Sequence, residues 1–185
     1  MSDRPIDFLV GLSGKSPRNL AESIRRVKNA SAGFLQSWHA GSHAEAYETS
    51  QEAFEHLDYI QNELLRQRDV HRMNQAIWQN SLFRLALQRP VGSIVKDLQP
   101  PDSAWFASLA LGYGALPVGV TPTPLTLETA LNKLKHRDTI AVNFSASPIH
   151  ALFVNTSASM NQKESLCEIS VLVLCQECLA AAAHV

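Results

Sequence analysis

The 185-residue sequence has no uninterrupted apolar run near the roughly 20 residues that a membrane-spanning helix needs. Its first residues, Met1 to Pro5, also lack the apolar centre of a signal peptide. Neither sign of charge dominates, because 16 lysines and arginines stand against 17 acidic residues and the net charge is −1. A surface broadly built to neutralise phosphate is therefore not indicated. These absences predict a cytoplasmic protein that makes no contact with a membrane.

Cysteine is also scarce, with only Cys167, Cys175 and Cys178. An odd number close together on one predicted helix favours reduced thiols over a disulfide framework. Cys175 and Cys178 resemble half of a zinc site, but the only nearby candidate for a further ligand is His184. Small buried thiols are the commoner use of such a pair. We therefore predict no metal site and no cofactor.

Apolar residues, which make up 45% of the chain, recur at helical spacing through most of it. They predict helices over about 17–38, 43–68 and 70–88, and a short helix near 103–111. A further helix is predicted from residue 126 or 127 through Arg137, and a last one over about 165–183. The helix at 70–88 is apolar on more than one side, so it is expected to lie centrally.

The predicted fold class is mainly α: an up-and-down bundle of five or six helices, with a short β-hairpin near residues 150–160. The predicted organisation has two parts. Residues 1–42 form an N-terminal leader and a basic helix, whose basic side carries Arg25, Arg26 and Lys28. Residues 43–185 form the bundle. A further alternative for the function is a regulatory helical protein that binds nucleic acid through this basic side.

The most informative stretch runs from Lys135 to Phe144 and contains His136, Arg137, Asp138 and Asn143. An Arg next to a group that moves protons suits phosphodiester chemistry, because the Arg neutralises charge in the transition state. Asn143 cannot move a proton. The alternative is that Arg137 and Asp138 cap a helix terminus, where a cation complements the helix dipole.

Two other phosphate motifs match only in part. His136, Arg137, Asp138 and Asn143 have the spacing of a protein-kinase catalytic loop, but the Gly-rich loop, the Lys strand and the Asp-Phe-Gly motif are missing. Gly11 to Ser16 suggest a P-loop, yet Leu9 stands where the first Gly is required. Neither a kinase nor a P-loop nucleotide-binding protein is indicated.

The order of elements around Arg137 resembles the HEPN superfamily, in particular its Abi-like members from plasmid and phage defence. The resemblance covers about residues 43–183: an amphipathic helix, a hydrophobic helix, a proline-marked connection, a helix ending in Arg and a polar residue, a short strand and a final helix. The family motif is Arg, a polar residue, a spacer and His. Arg137 and Asp138 match its first two positions, and Asn143 stands where His is expected.

The resemblance implies a homodimer in which two motifs face each other and form a metal-independent ribonuclease site. Arg137 would stabilise the phosphodiester transition state, Asp138 would orient Arg137, and Asn143 would hydrogen-bond without exchanging protons; His136 is a candidate substitute for the missing His. The expected function is a defence or accessory protein that binds RNA or a nucleotide at the dimer cleft, with weak or lost ribonuclease activity. The alternative is a catalytically inert protein-interaction module with an antitoxin-like partner.

Overall fold

The structure is a computed structural model that describes residues 19–137, 142–156 and 163–185. Within these ranges, seven helices and five strands follow one another along the chain. The helices are α1 (Leu20–His39), α2 (His43–Arg72), α3 (Gln75–Gln79), α4 (Leu82–Leu87), α5 (Pro100–Ser108), α6 (Leu127–Lys135) and α7 (Val171–Ala182). The strands are β1 (Pro90–Lys96), β2 (Thr123–Thr126), β3 (Val142–Ser145), β4 (Ala151–Thr156) and β5 (Ser165–Ser170).

Helices α1 and α2 form an antiparallel hairpin, as their apolar periodicity predicts. The Asn19 side chain caps α1 by accepting a hydrogen bond from the Glu22 backbone N–H at 2.7 Å. Gly41 takes a φ of 76° in the turn, a conformation that favours glycine. The facing stripes are buried, with Val27 and Ile60 each 1% exposed. The helices predicted at 17–38 and 43–68 are therefore present as α1 and α2.

The five strands form one antiparallel sheet in the order β2-β1-β5-β4-β3. Alternate residues of a strand point to opposite faces, and β4 is buried on both. Leu152 and Val154 join the large core under the helices, whereas Ala151 and Phe153 join a smaller core under α5. The molecule thus has three layers, because the sheet lies between the helices of the large core on one face and α5 on the other.

The prediction of a mainly α bundle is wrong, because the central sheet makes the fold α+β. The last predicted helix begins too early: Ser165–Ser170 form β5, the middle strand, and only Val171 starts the helix. Strand β1 was not predicted at all. The error at residues 165–170 arises because short apolar runs fit a buried strand and a buried helix equally well.

The helix predicted over residues 70–88 is also wrong. The chain breaks after Arg72 and again after Gln79, and the side chains of Asn74 and Ser81 cap the short helices α3 and α4. This segment does not lie centrally, because Met73 is 88% exposed and Leu85 62% exposed. Only one side of it, with Phe83 and Leu87, reaches the core.

The helix predicted to carry the Arg137 motif at its end stops at Lys135, and Phe144 lies in strand β3. The part of the chain where a short β-hairpin is predicted, near residues 150–160, contains strand β4, which pairs with β3 and β5. The predicted boundary between residues 42 and 43 falls in the α1–α2 turn, and side chains on both sides of it share one core. No helix in the described ranges is long and apolar enough to cross a membrane.

Candidate functional site

Arg137 makes contacts within the protein just after α6. Its guanidinium donates to both carboxylate oxygens of Asp58 on α2, at 2.8 and 3.2 Å, and to the Leu134 carbonyl at 2.8 Å. It also lies over the ring of Phe54, 5.0 Å from the centroid. Such a two-pronged ion pair fixes the guanidinium plane. The contacts therefore assign Arg137 to holding the end of α6 against α2.

Asn143 is 6% exposed and lies in β3, where both ends of its carboxamide are occupied. Its Oδ1 accepts from the backbone N–H groups of Gly112 at 3.0 Å and Phe144 at 2.8 Å. Its Nδ2 donates to the Ala110 carbonyl at 3.1 Å. Asn143 thus ties the loop after α5 to strand β3.

The other two predicted site residues are His136 and Asp138. His136 is exposed at the C-terminal cap of α6. Asp138 lies outside the described residues. In the described contacts, Arg137 is paired with α2 while Asn143 is paired with the loop at 110–112, so the two serve different joints of the fold.

A cavity of about 590 Å³ opens between the α1–α2 hairpin and strand β3. It lies next to the predicted motif, because Asn143 is part of its wall and Phe54, under the Arg137 guanidinium, is another part. Tyr47 and Leu111 line it and are 64% and 61% exposed, which places the mouth on their side. Its volume is within the range of small-molecule sites.

The described wall of the cavity contains no Asp, Glu, Lys or Arg side chain, and rings make up much of it. Phe34 stacks against Trp38, and Phe144 meets both of these rings edge to face. The wall consists of Val27, Ala30, Ser31, Phe34 and Trp38 from α1; His43, Ala46, Tyr47, Ser50, Ala53, Phe54 and Leu57 from α2; and Leu111, Val142, Asn143, Phe144, His150, Leu152 and Val171.

The aromatic wall continues into the loop after α5 because Gly112 has no side chain. A Cβ at this position would lie 2.6 Å from the ring of Trp38, so only glycine lets that ring pack here. The φ of Gly112 is 90°, which also favours glycine. The Asn143 bond to the Gly112 N–H then holds the loop against β3. One glycine and one amide thus set this side of the cavity.

The principal polar feature of the wall is the pair Ser31 and His150. The Ser31 Oγ lies 2.7 Å from His150 Nδ1, and the imidazole stacks on Phe34 with a centroid distance of 4.9 Å and an angle of 4°. Burial lowers the pKa of His150 to about 4, because a charged imidazole is poorly solvated there. The ring is therefore neutral at pH 7.

The remaining residues singled out in the sequence have other surroundings. The three thiols are buried, and only Cys175 and Cys178 share a helix, since Cys167 lies in β5. Burial raises the pKa of Cys175 to about 11 and of Cys167 to about 12. In the described part of the chain, no three His, Cys, Asp or Glu side chains form a metal-binding group.

Part of the basic side of α1 is paired with acids. Glu22 accepts from Arg25 at 2.7 Å and from Arg26 at 2.9 Å, and Arg26 also lies 3.7 Å from Glu52. These pairs reduce the positive charge that the sequence places on this side. The glycine-rich stretch from Gly11 to Ser16 lies outside the described residues.

No known family matches this chain. The comparison with family models finds none that fits, and the comparisons with curated proteins and with solved structures find no match either.

The sequence does not predict the cavity because its wall comes from six separate segments. Phe34 belongs to the apolar stripe of the helix predicted over 17–38, and His150 is one of several histidines that show no metal-ligand spacing in the sequence. The sequence does contain one signal. It places three rings close together, Trp38 at the end of α1 and His43 and Tyr47 in the first turns of α2. Aromatic side chains near a turn that stay partly exposed favour a ligand site over a core.

Proposed function

We propose that this protein binds a small, uncharged and largely apolar molecule in the cavity between α1, α2 and β3. The observation that carries the proposal is a cavity of about 590 Å³ whose described wall contains no charged side chain. Ligand sites are typically concave, mostly apolar and supplied with a few convergent polar groups. Ser31 and His150 are such groups.

The charge of the ligand follows from what the wall offers. A charged group moved from water into this cavity would lose hydration, which costs several kcal/mol when no opposite charge replaces it. Arg137 lies behind Phe54, and its guanidinium is neutralised by Asp58. An uncharged ligand avoids this cost. The wall therefore favours neutral molecules over anions such as phosphates and over cations.

The shape of the ligand follows from the rings of the wall. Phe34, Trp38 and Phe144 form a packed aromatic cluster on one side, and Phe54 and Tyr47 stand on α2. Aromatic faces and edges contribute about 0.5–1.5 kcal/mol per favourable ring contact beyond area burial. A ligand with its own planar ring system gains most from this wall.

The proposal is tested with Nile red, a neutral fluorescent dye, titrated with the full-length protein. Ala53 lines the cavity, so Ala53→Trp is expected to fill it and to weaken dye binding at least tenfold. The matched control is Ala44→Trp, because Ala44 lies on the same helix but is exposed and outside the cavity. We expect the control to bind like the wild type. Absence of binding to the wild type, or equal weakening by both substitutions with both variants folded, would refute the proposal.

The function expected from the HEPN resemblance stays a prediction: RNA or nucleotide binding, with weak or lost ribonuclease activity, in a defence or accessory system. Four further expectations also stay predictions: the homodimer, the antitoxin-like partner, the alternative of an inert interaction module and the cytoplasmic location. The contacts of Arg137 and Asn143 supply each with a structural role, so neither needs a ligand to satisfy its hydrogen-bonding groups. For this reason we place the apolar cavity first.

A further inference from the structure

We propose that the cavity selects planar aromatic molecules that carry one hydroxyl group, and that His150, positioned by Ser31, forms a hydrogen bond with that hydroxyl. This inference rests on the proposed function and names the ligand class of the same site. It is carried by the position of one ring nitrogen, as the following contacts show.

The orientation of the imidazole is fixed on two sides. Ser31 Oγ holds Nδ1 at 2.7 Å, and the ring face lies parallel to Phe34. The His150 backbone is also held, because its carbonyl accepts from the Val171 N–H at 3.1 Å. A side chain held in this way does not have to be ordered when the ligand arrives, which favours binding.

The second ring nitrogen remains available. In the part of the chain that the structure describes, His150 Nε2 makes no hydrogen bond, and it is not one of the buried polar atoms without a partner. His150 is one of the residues that line the cavity, and because Ser31 engages Nδ1, Nε2 is the ring nitrogen left for a ligand. A ligand with a polar group can form a hydrogen bond with an accessible nitrogen in a mostly apolar wall and so bind more tightly, whereas a purely apolar ligand cannot.

The chemistry of the pair explains the choice of a hydroxyl. A serine hydroxyl both donates and accepts, so Ser31 can bond either form of the neutral imidazole. When Ser31 donates to Nδ1, the proton is on Nε2, which then donates; when Ser31 accepts from Nδ1, Nε2 accepts. A ligand hydroxyl also donates and accepts, so it pairs with Nε2 in both forms. A carboxylate pairs with only one and brings an unpaired charge.

The experiment compares three ligands with one ring system: naphthalene, 2-naphthol and 2-naphthoate, each titrated at pH 7 into the wild type and into His150→Phe. The substitution keeps a ring against Phe34 and removes both nitrogens. In the wild type we expect 2-naphthol to bind about tenfold more tightly than naphthalene, the usual value of one hydrogen bond, and 2-naphthoate to bind most weakly. In His150→Phe, naphthalene affinity should be kept and the preference for 2-naphthol lost.

A second variant covers the case in which His150→Phe does not fold. Ser31→Ala removes the group that holds Nδ1, so the preference for 2-naphthol should fall while naphthalene affinity changes little. Equal affinities for naphthalene and 2-naphthol in the wild type, or a preference that survives in a folded variant, would overturn this inference alone. If Nile red does not bind the wild type, the proposed function itself fails, so the two failures are distinguishable.

Discussion

Asn143 shows at the scale of a single residue how a buried amide can look like a remnant of a catalytic motif. Both ends of its carboxamide are used, with Oδ1 accepting from the Gly112 N–H and Nδ2 donating to the Ala110 carbonyl. A buried group with this many partners is costly to change, because each lost partner leaves an unpaired polar atom. Its position in the sequence suggested chemistry, whereas its contacts give it a structural role.

Replacing Asn143 by Asp is therefore expected to destabilise the protein by about 2 kcal/mol or more, because an oxygen would replace Nδ2 and face a backbone carbonyl. Urea unfolding measures the change. Asn80→Asp is the matched control: this asparagine is exposed, so its substitution should stay within about 0.5 kcal/mol of the wild type. Similar losses at both positions would show that the contacts of Asn143 are not the cause.

His150 gives the stability a pH dependence of known sign. Burial lowers its pKa from 6.5 to about 4, so between these values the unfolded chain binds the proton and the folded protein does not. The contribution of His150 to the free energy of unfolding is therefore fully present above about pH 6.5. It falls as the pH falls towards 4, by at most about 1.4 kcal/mol per pH unit.

Urea unfolding at a series of pH values between about 7 and 5 checks this sign. Carboxylates also titrate at the acidic end of the range, so the informative quantity is the difference between wild type and His150→Phe. The variant should lose less stability than the wild type over the same range. If the two curves run parallel, the histidine is not the source of the dependence.

At the scale of the elements, two glycines predict opposite effects of the same substitution. A Cβ at Gly33 in α1 would lie 3.6 Å from the Thr49 methyl, an ordinary contact, whereas a Cβ at Gly92 in β1 would lie 1.9 Å from the Glu168 carbonyl oxygen of β5. Gly33→Ala should therefore stabilise by about 0.5–1 kcal/mol through its higher helix propensity. Gly92→Ala should destabilise by about 3 kcal/mol or more, because the strands must separate.

Thermal unfolding of the two variants, followed by circular dichroism, checks both directions. Each variant controls for the other, since the added methyl group is the same. A rise in melting temperature for Gly92→Ala would contradict the close pairing of β1 with β5. A fall for Gly33→Ala would contradict the ordinary van der Waals contact expected between the added methyl group and Thr49.

The elements also differ in how far the sequence could predict them. Helices α1 and α2 are long, and their periodic apolar stripes identify them without any knowledge of the rest of the chain. Strand β5 has six residues and runs directly into α7, so its apolar residues merge with those of the helix. The one local sign of the boundary is Ser170, whose side chain caps α7 by accepting from the Val173 N–H.

The candidate site could be predicted only in part. Asn143, which the sequence singles out for phosphodiester chemistry, is part of the cavity wall, but the sequence does not predict the cavity itself. The bond between Ser31 and His150, by contrast, joins residues 119 positions apart. Such a contact depends on how the helical layer meets the sheet, and a single sequence contains no local pattern for it.

At the scale of the whole molecule, the sheet divides the core into two unequal parts. Six of the helices contribute to the large core on one face, whereas α5 and the loop that follows it cover the other face. The cavity lies in the larger part, where α1 and α2 meet β3. Rigid layers on two sides of the cavity favour a site that is already formed before a ligand enters.

The position of β5 has a consequence for the order in which the molecule assembles. The last strand in the sequence lies in the middle of the sheet and pairs with both β1 and β4. Before it arrives, β2 and β1 can pair at one edge and β4 and β3 at the other, with nothing to join them. Closing such distant segments is slow compared with forming helices. Residues 165–170 are therefore the link between the two halves of the sheet, and the cavity wall built on β3 and His150 is joined to β1 and β2 within the sheet through that strand.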